Sequence, residues 1–347
     1  MRYHNHKLRA AETNNAALGK TDMSLLSDME MSTTRTERGL TRNDSIPKFP
    51  KILDSTLSIR LDTEESETVN ESKTHVVDLE MEACDIKDMD NPQLVAEYAS
   101  TIFKYLRETE GKYSAKHGYM ANQPDITDKM RAILVDWLVD VHLKFKLLPE
   151  TLFLTINIID RYLDHAQVTR QKLQLVGVTA MLIACKYEEI YSPEINDFVY
   201  VTDNAYTREE ILETEGKILA ALKFNITTPS SYIFLERYAK VHGVDERTLN
   251  LARYLIELAL VEYKLLKYSP SNIACSALYL ACKVLKKEAW NDTIARVSQY
   301  TESQVRPCAK DLCVLLQHAH KTSLQAVRKK FASSKYMEIS KIQLDKH

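Results

Sequence analysis

Two eight-residue stretches constrain this chain more than any other feature: TAMLIACK (179–186) and SALYLACK (276–283) align without a gap. Each sets two alanines four residues apart, Ala180/Ala184 and Ala277/Ala281, directly before Cys-Lys. Small residues at that spacing share one helix face and let neighbouring helices pack closely around it. Helical periodicity is expected at roughly 92–108, 126–146, 149–164, 169–189, 193–201, 207–222, 229–242, 245–264, 269–286, 290–299 and 302–319. Each alanine repeat falls in the third helix of a five-helix set. Residues 126–320 therefore read as two tandem five-helix bundles, each built around one central helix. The fold class is all-α. Only 7 glycines in 347 residues agree with that, because hairpins and phosphate-cradling loops need glycine.

Prolines at 92, 124, 149, 193, 229, 270 and 307 are each expected just ahead of a helical pattern, often beside Ser, Thr, Asp or Asn. They read as helix starters. The Ser/Thr-Pro pairs at 192, 228 and 269 match a minimal kinase site, but the expectation is that they are N-caps. Residues 1–90 are rich in Ser, Thr, Asn, Asp and Glu and poor in aromatics, so they are expected to form a disordered regulatory tail. The six cysteines form no Cys-x-x-Cys pair and several lie on apolar faces, which predicts reduced packing residues in an intracellular protein rather than metal ligands or disulfides.

Two surfaces look unspent. The stretch DKMRAILVDWLVDVHLKF (128–145) is apolar on nearly its whole perimeter: Met130, Ile133, Leu134, Trp137 and Val141 share one face, and Ala132, Val135, Leu138 and Val139 cover another. Either the helix is buried all round, or the first face is an open groove for a short apolar peptide, with Asp140 at its edge to receive a cation. The second surface is the end of LIACKYEEIYSPE (182–194), where a buried helix finishes in Lys186, Tyr187, Glu188 and Glu189. Glu215, in REEILETEGKIL, lies on a later helix. A lysine and a glutamate at neighbouring helix ends can clamp the backbone of a partner, although charged helix ends are also simply hydrated.

The motifs MRAILVDWLVDV, IIDRYL and KLQLVGVTAMLIACKYEEIYSPEINDFVYVTD make the chain resemble the A/B-type mitotic cyclins over about residues 90–340, with a lean toward the B type. The resemblance implies a tail (1–90), a leading helix plus N-terminal cyclin box (91–226), a C-terminal cyclin fold (227–320) and a C-terminal extension (321–347). It implies a non-catalytic activator of a cyclin-dependent kinase acting at the G2/M transition, in nucleus and cytoplasm, without cofactor or metal. On that reading Lys186 and Glu215 anchor the kinase, and Tyr187, Leu219, Phe224 and Ile226 form an apolar floor. Tyr98, Ile102 and Tyr105, at i, i+4 and i+7 of the leading helix, extend the contact. Met130, Ile133, Leu134, Trp137, Asp140 and Gln174 match a groove that docks Arg-x-Leu substrates and inhibitors. Arg131 and Asp160 match an internal ion pair of structural role. The destruction box, Arg-x-x-Leu, usual in such tails is absent from residues 1–90, and Arg-Gly-Leu at 38–40 has the docking form.

Other classes fit less well. No GxxxxGK, GxSxG or HExxH occurs, so an enzyme is not expected. A net charge of -2 argues against a nucleic-acid-coating protein, and no apolar run reaches membrane-spanning length. An A-type (S/G2) cyclin and a transcriptional cyclin are the nearer alternatives.

Overall fold

In a computed structural model of the chain, residues 81–342 are described, and among these no strand occurs. The expectations for residues 1–80, the Arg-Gly-Leu tripeptide among them, lie outside the described residues. The helices are α1 (Ala83–Ile86), α2 (Ala99–Thr109), α3 (Asp128–Phe145), α4 (Pro149–His165), α5 (Arg170–Glu188), α6 (Ile195–Val201), α7 (Arg208–Ala221), α8 (Ser231–His242), α9 (Glu246–Val261), α10 (Pro270–Val284), α11 (Asp292–Ser298), α12 (Glu302–His318) and α13 (Ala326–Phe331).

The alanine repeats do what their spacing implies. In α5, Ala180 and Ala184 are fully buried, and α4 and α7 pack on either side. In α10, Ala277 and Ala281 are equally buried, and α8, α9 and α12 surround the helix. Without a side chain beyond Cβ, these positions let the flanking helices approach closely. The cysteines are unpaired, four of the six being buried, and burial pushes the Cys275 thiol up to about 12, so it stays protonated.

The bundles are not independent. They form one compact unit with two interlocking cores. Val139, Leu152 and Phe153 of the first bundle sit in the core of the second, while Leu260 and Val261 of α9 pack on the core of the first. At the junction, Arg131 forks onto Asp160 through Nε and Nη2 at 2.6 and 2.7 Å. Its Nη1 donates to the Leu260 carbonyl at 2.9 Å, and the Tyr119 hydroxyl donates to Asp160 at 2.7 Å. Burial works against the Arg131 charge, but Asp160 outweighs it and raises the guanidinium pKa above its ordinary value. The internal ion pair expected between Arg131 and Asp160 is present.

Several local expectations are corrected. Residues 81–90 do not belong to a loose tail. They pack on the C-terminal bundle, with Asp85 buried against Arg237 at 2.6 Å, because paired charge does the anchoring while the segment's Ile86 and Met89 stay exposed. The leading helix does not start at Pro92. The Asn91 side chain caps a single 3-10 turn there, Val95 turns left-handed (φ 49°), and regular helix begins at Ala99. Of the three Ser/Thr-Pro positions only Ser269 is an N-cap, accepting from the Asn272 amide at 3.3 Å. Glu194 and Ser230 cap the helices that Ser192 and Thr228 were expected to start. Pro307 lies inside α12, where its ring removes the bond that the Ser303 carbonyl would have received.

The extension after residue 320 is anchored too. The first amide of α13, at Ala326, donates to Asp136 at 2.9 Å, and buried Lys330 pairs with Glu257 at 2.6 Å. Asp136 thus caps a helix distant in sequence. Burial holds its carboxyl above the ordinary value despite that hydrogen bond.

Candidate functional site

The charged end of α5 resolves into three fates. Glu189 turns inward and caps the start of α4, accepting from the Leu148 amide and the Thr151 hydroxyl, both at 2.7 Å. Glu188 is half-buried, and burial together with Glu150 raises its carboxyl pKa. Lys186 alone points outward and meets Glu215 of α7 at 2.6 Å, with the two side chains 50% and 14% exposed. The pair is therefore fixed at the surface while the lysine keeps hydrogen-bonding capacity on its open side.

Apolar groups flank it. Tyr187 is half exposed, and its hydroxyl is tied to that of Thr227, which sets the ring's direction. After α7, Lys223 and Phe224 both adopt left-handed φ values, 52° and 58°, a conformation unfavourable for residues with a Cβ. The backbone amide of Phe224 returns to the Leu219 carbonyl at 2.9 Å, and the ring is left 71% exposed. The left-handed turn returns hydrogen bonds to the last carbonyls of α7 and leaves the Phe224 ring facing water. Leu219 is half-buried beside it. Ile226, expected in the same floor, is instead 8% exposed and part of the first core, since the chain has already turned inward there. Its side chain packs with the core of the first bundle rather than on the surface. At the N-cap of α2 and along it, Tyr98, Ile102 and Tyr105 are all exposed, while Phe103 and Leu106 pack inward.

The face of α3 is mixed. Ile133 is 60% exposed, Met130, Trp137 and Gln174 are half-buried, and Asp140 is exposed at the edge. Leu134 and Val141 are both buried in the first core, beneath the exposed Ile133. The seat of Leu134 depends on Gly177 of α5. A Cβ built there would stand 2.7 Å from Leu134 Cδ1 and 3.3 Å from its Cγ. The Gly177→Val variant is expected to overpack this crossing at a cost of about 2 kcal/mol. A thermal melt unchanged from wild type would show that the crossing has room after all.

Four residues with structural roles here have no signal in local spacing. Thr227, Gly177, Glu189 and Asp136 act only through neighbours distant in the chain. Glu82, Asp85 and Asp88 did carry a signal, acids at every third position, but it lay in a segment read as tail.

Comparisons with known proteins agree with the fold. Family models described as "Cyclin, N-terminal domain" and "Cyclin, C-terminal domain" match residues 101–227 and 229–345. The chain is 47% identical over 298 residues to a G2/mitotic-specific cyclin-B of Spisula solidissima, covering 86% of this chain and 69% of that protein. It is 42% identical to one of Hydra vulgaris, covering 94% and 86%. Among solved structures, a viral cyclin from herpesvirus saimiri superposes with a TM-score of 0.56 at 22% identity, covering 62% of this chain and 97% of that one, which bears on fold alone.

Proposed function

This chain belongs to the cyclin family, its relatives being of the mitotic B type, and from that premise we propose that it is the activating subunit of a mitotic cyclin-dependent kinase. It supplies no catalytic group. A lone kinase of this class holds its regulatory helix turned away, so a glutamate on that helix misses the lysine that positions ATP. A rigid platform that binds only the turned-in arrangement favours that state by its differential affinity. The exposed rings of Phe224 and Tyr187, with the surface Lys186–Glu215 pair, carry this reading: apolar area supplies the energy and the ion pair supplies register. Tyr98, Ile102 and Tyr105 widen the contact.

The test is co-elution of the purified chain with a mitotic kinase and a rise in the kinase's turnover. Affinity purification with mass spectrometry names the kinase. If no kinase co-elutes or is stimulated, the reading fails.

The α3 face is the second element of the proposal. Ile133, Met130 and Trp137 line a shallow apolar strip over Leu134, with Gln174 alongside and Asp140 at its margin. Such a strip suits the leucine of an Arg-x-Leu peptide, and Asp140 suits its arginine. Trp137→Ala is expected to spare activation toward a substrate without the motif and to weaken phosphorylation of Arg-x-Leu substrates about tenfold or more. Equal loss on both kinds of substrate would instead make Trp137 part of the core. A complex acting on the mitotic apparatus works in both nucleus and cytoplasm, and we place the chain there. Imaging of a tagged chain through division checks this, and exclusion from either compartment contradicts it.

A further inference from the structure

The acids at every third position of residues 82–88 all meet cations on the C-terminal bundle. Both oxygens of Asp85 accept from Arg237, each at 2.6 Å. Lys240 lies 3.3 Å from Asp85 and 2.5 Å from Asp88. Arg296 forks onto Glu82, with Nη2 3.0 Å from Oε2. The Asp85 and Arg237 side chains are 2% and 5% exposed. Fully desolvated ion pairs add little net stability compared with apolar packing, but they hold geometry tightly. The question is which geometry these hold.

Arg237 answers it. The guanidinium that grips Asp85 also lies over the ring of Phe103, 5.3 Å from its centroid, and Phe103 packs on Phe234 at 6.2 Å. Phe103 is the inward anchor of α2, the helix whose N-cap is Tyr98 and whose outward face carries Ile102 and Tyr105. The far end of α2 is secured independently. Arg107 bonds the Tyr238 hydroxyl at 3.3 Å and the Ser298 carbonyl, and Glu110, just beyond the helix, accepts from Ser271 at 2.9 and 2.7 Å. Among the described residues the near end has no comparable polar tie of its own. It consists of two 3-10 turns joined at left-handed Val95, with Ala96 and Ala99 buried, and α1 packs against the second of these turns.

We propose that residues 82–88 form a positioning strap for α2, in which Asp85, acting through Arg237, sets where Tyr98 and Ile102 stand and thereby how tightly the kinase is held. This rests on the kinase-binding reading above, and two measurements separate them. Asp85→Ala alone leaves Arg237 buried without its partner and can unfold the bundle locally. The decisive variant in the full chain is therefore Asp85→Ala with Arg237→Met, which removes both charges and keeps an apolar chain over Phe103. Hydrogen exchange of the free protein is expected to quicken at residues 96–103 and to stay unchanged at 106–109. Affinity for the kinase is expected to fall about tenfold, while affinity for an Arg-x-Leu peptide, bound on α3, stays at the wild-type value. Unchanged exchange at 96–103, or unchanged kinase affinity despite faster exchange, would overturn the strap. A wild-type chain that binds no kinase overturns the functional reading instead, and exchange still decides whether the strap positions α2.

Discussion

Replacing Lys186 and Glu215 together by alanine is expected to abolish kinase activation and leave the fold intact. Two magnitudes support this separation. A surface ion pair with one partner half exposed contributes about 0–1 kcal/mol to stability, so melting should hardly change. The same groups against a partner's main chain are desolvated on binding, where truncating a charged hydrogen-bonding group costs about 2–5 kcal/mol, a loss of roughly 30-fold to several thousandfold. Neither residue caps a helix in the way Glu189 does, so the bundle keeps its supports. The measurement is histone phosphorylation by the reconstituted complex alongside the circular dichroism of the free chain. Wild-type activity from the double variant, or a collapse of its helicity, contradicts the assignment.

The opposite pattern is expected at the junction of the bundles. Asp160→Ala leaves Arg131, 1% exposed, without its carboxylate and the Tyr119 hydroxyl without its acceptor. Breaking a buried pair on one side costs about 3–5 kcal/mol, because the surviving charge cannot reach water. For a unit of this size that lowers the melting temperature by roughly 10 °C. Since Arg131 also holds the Leu260 carbonyl, both bundles are expected to destabilise in one calorimetric transition. Two separated transitions would show that the junction matters less than the interlocked cores suggest. The contrast between the two variants distinguishes residues that hold the fold from residues that face a partner.

How far such roles are legible from the chain depends on where the partner lies in sequence. Helix starts at Pro149 and Pro270, the alanine faces of α5 and α10 and the outward stripe of α2 follow local periodicity, and the structure repeats them. Ile226 shows the limit. Its neighbours Phe224 and Thr227 are exposed while it is buried, and only the left-handed turn at residues 223 and 224 decides which side chain faces out. Leu134 and Ile133 show it again, as adjacent apolar residues of one helix with opposite exposure.

The amino-acid order by itself determined an all-helical chain, its two repeated cores and its family, because these rest on spacing within single helices and on long uninterrupted motifs. Only the tertiary structure decided that residues 81–90 are held by buried charge, that Asp136 and Glu189 cap helices far from them, and that Lys186 alone among its charged neighbours is left facing outward. The physical reason is that a charge's role is set by its nearest opposite group, and in a folded chain that group is seldom nearby in sequence.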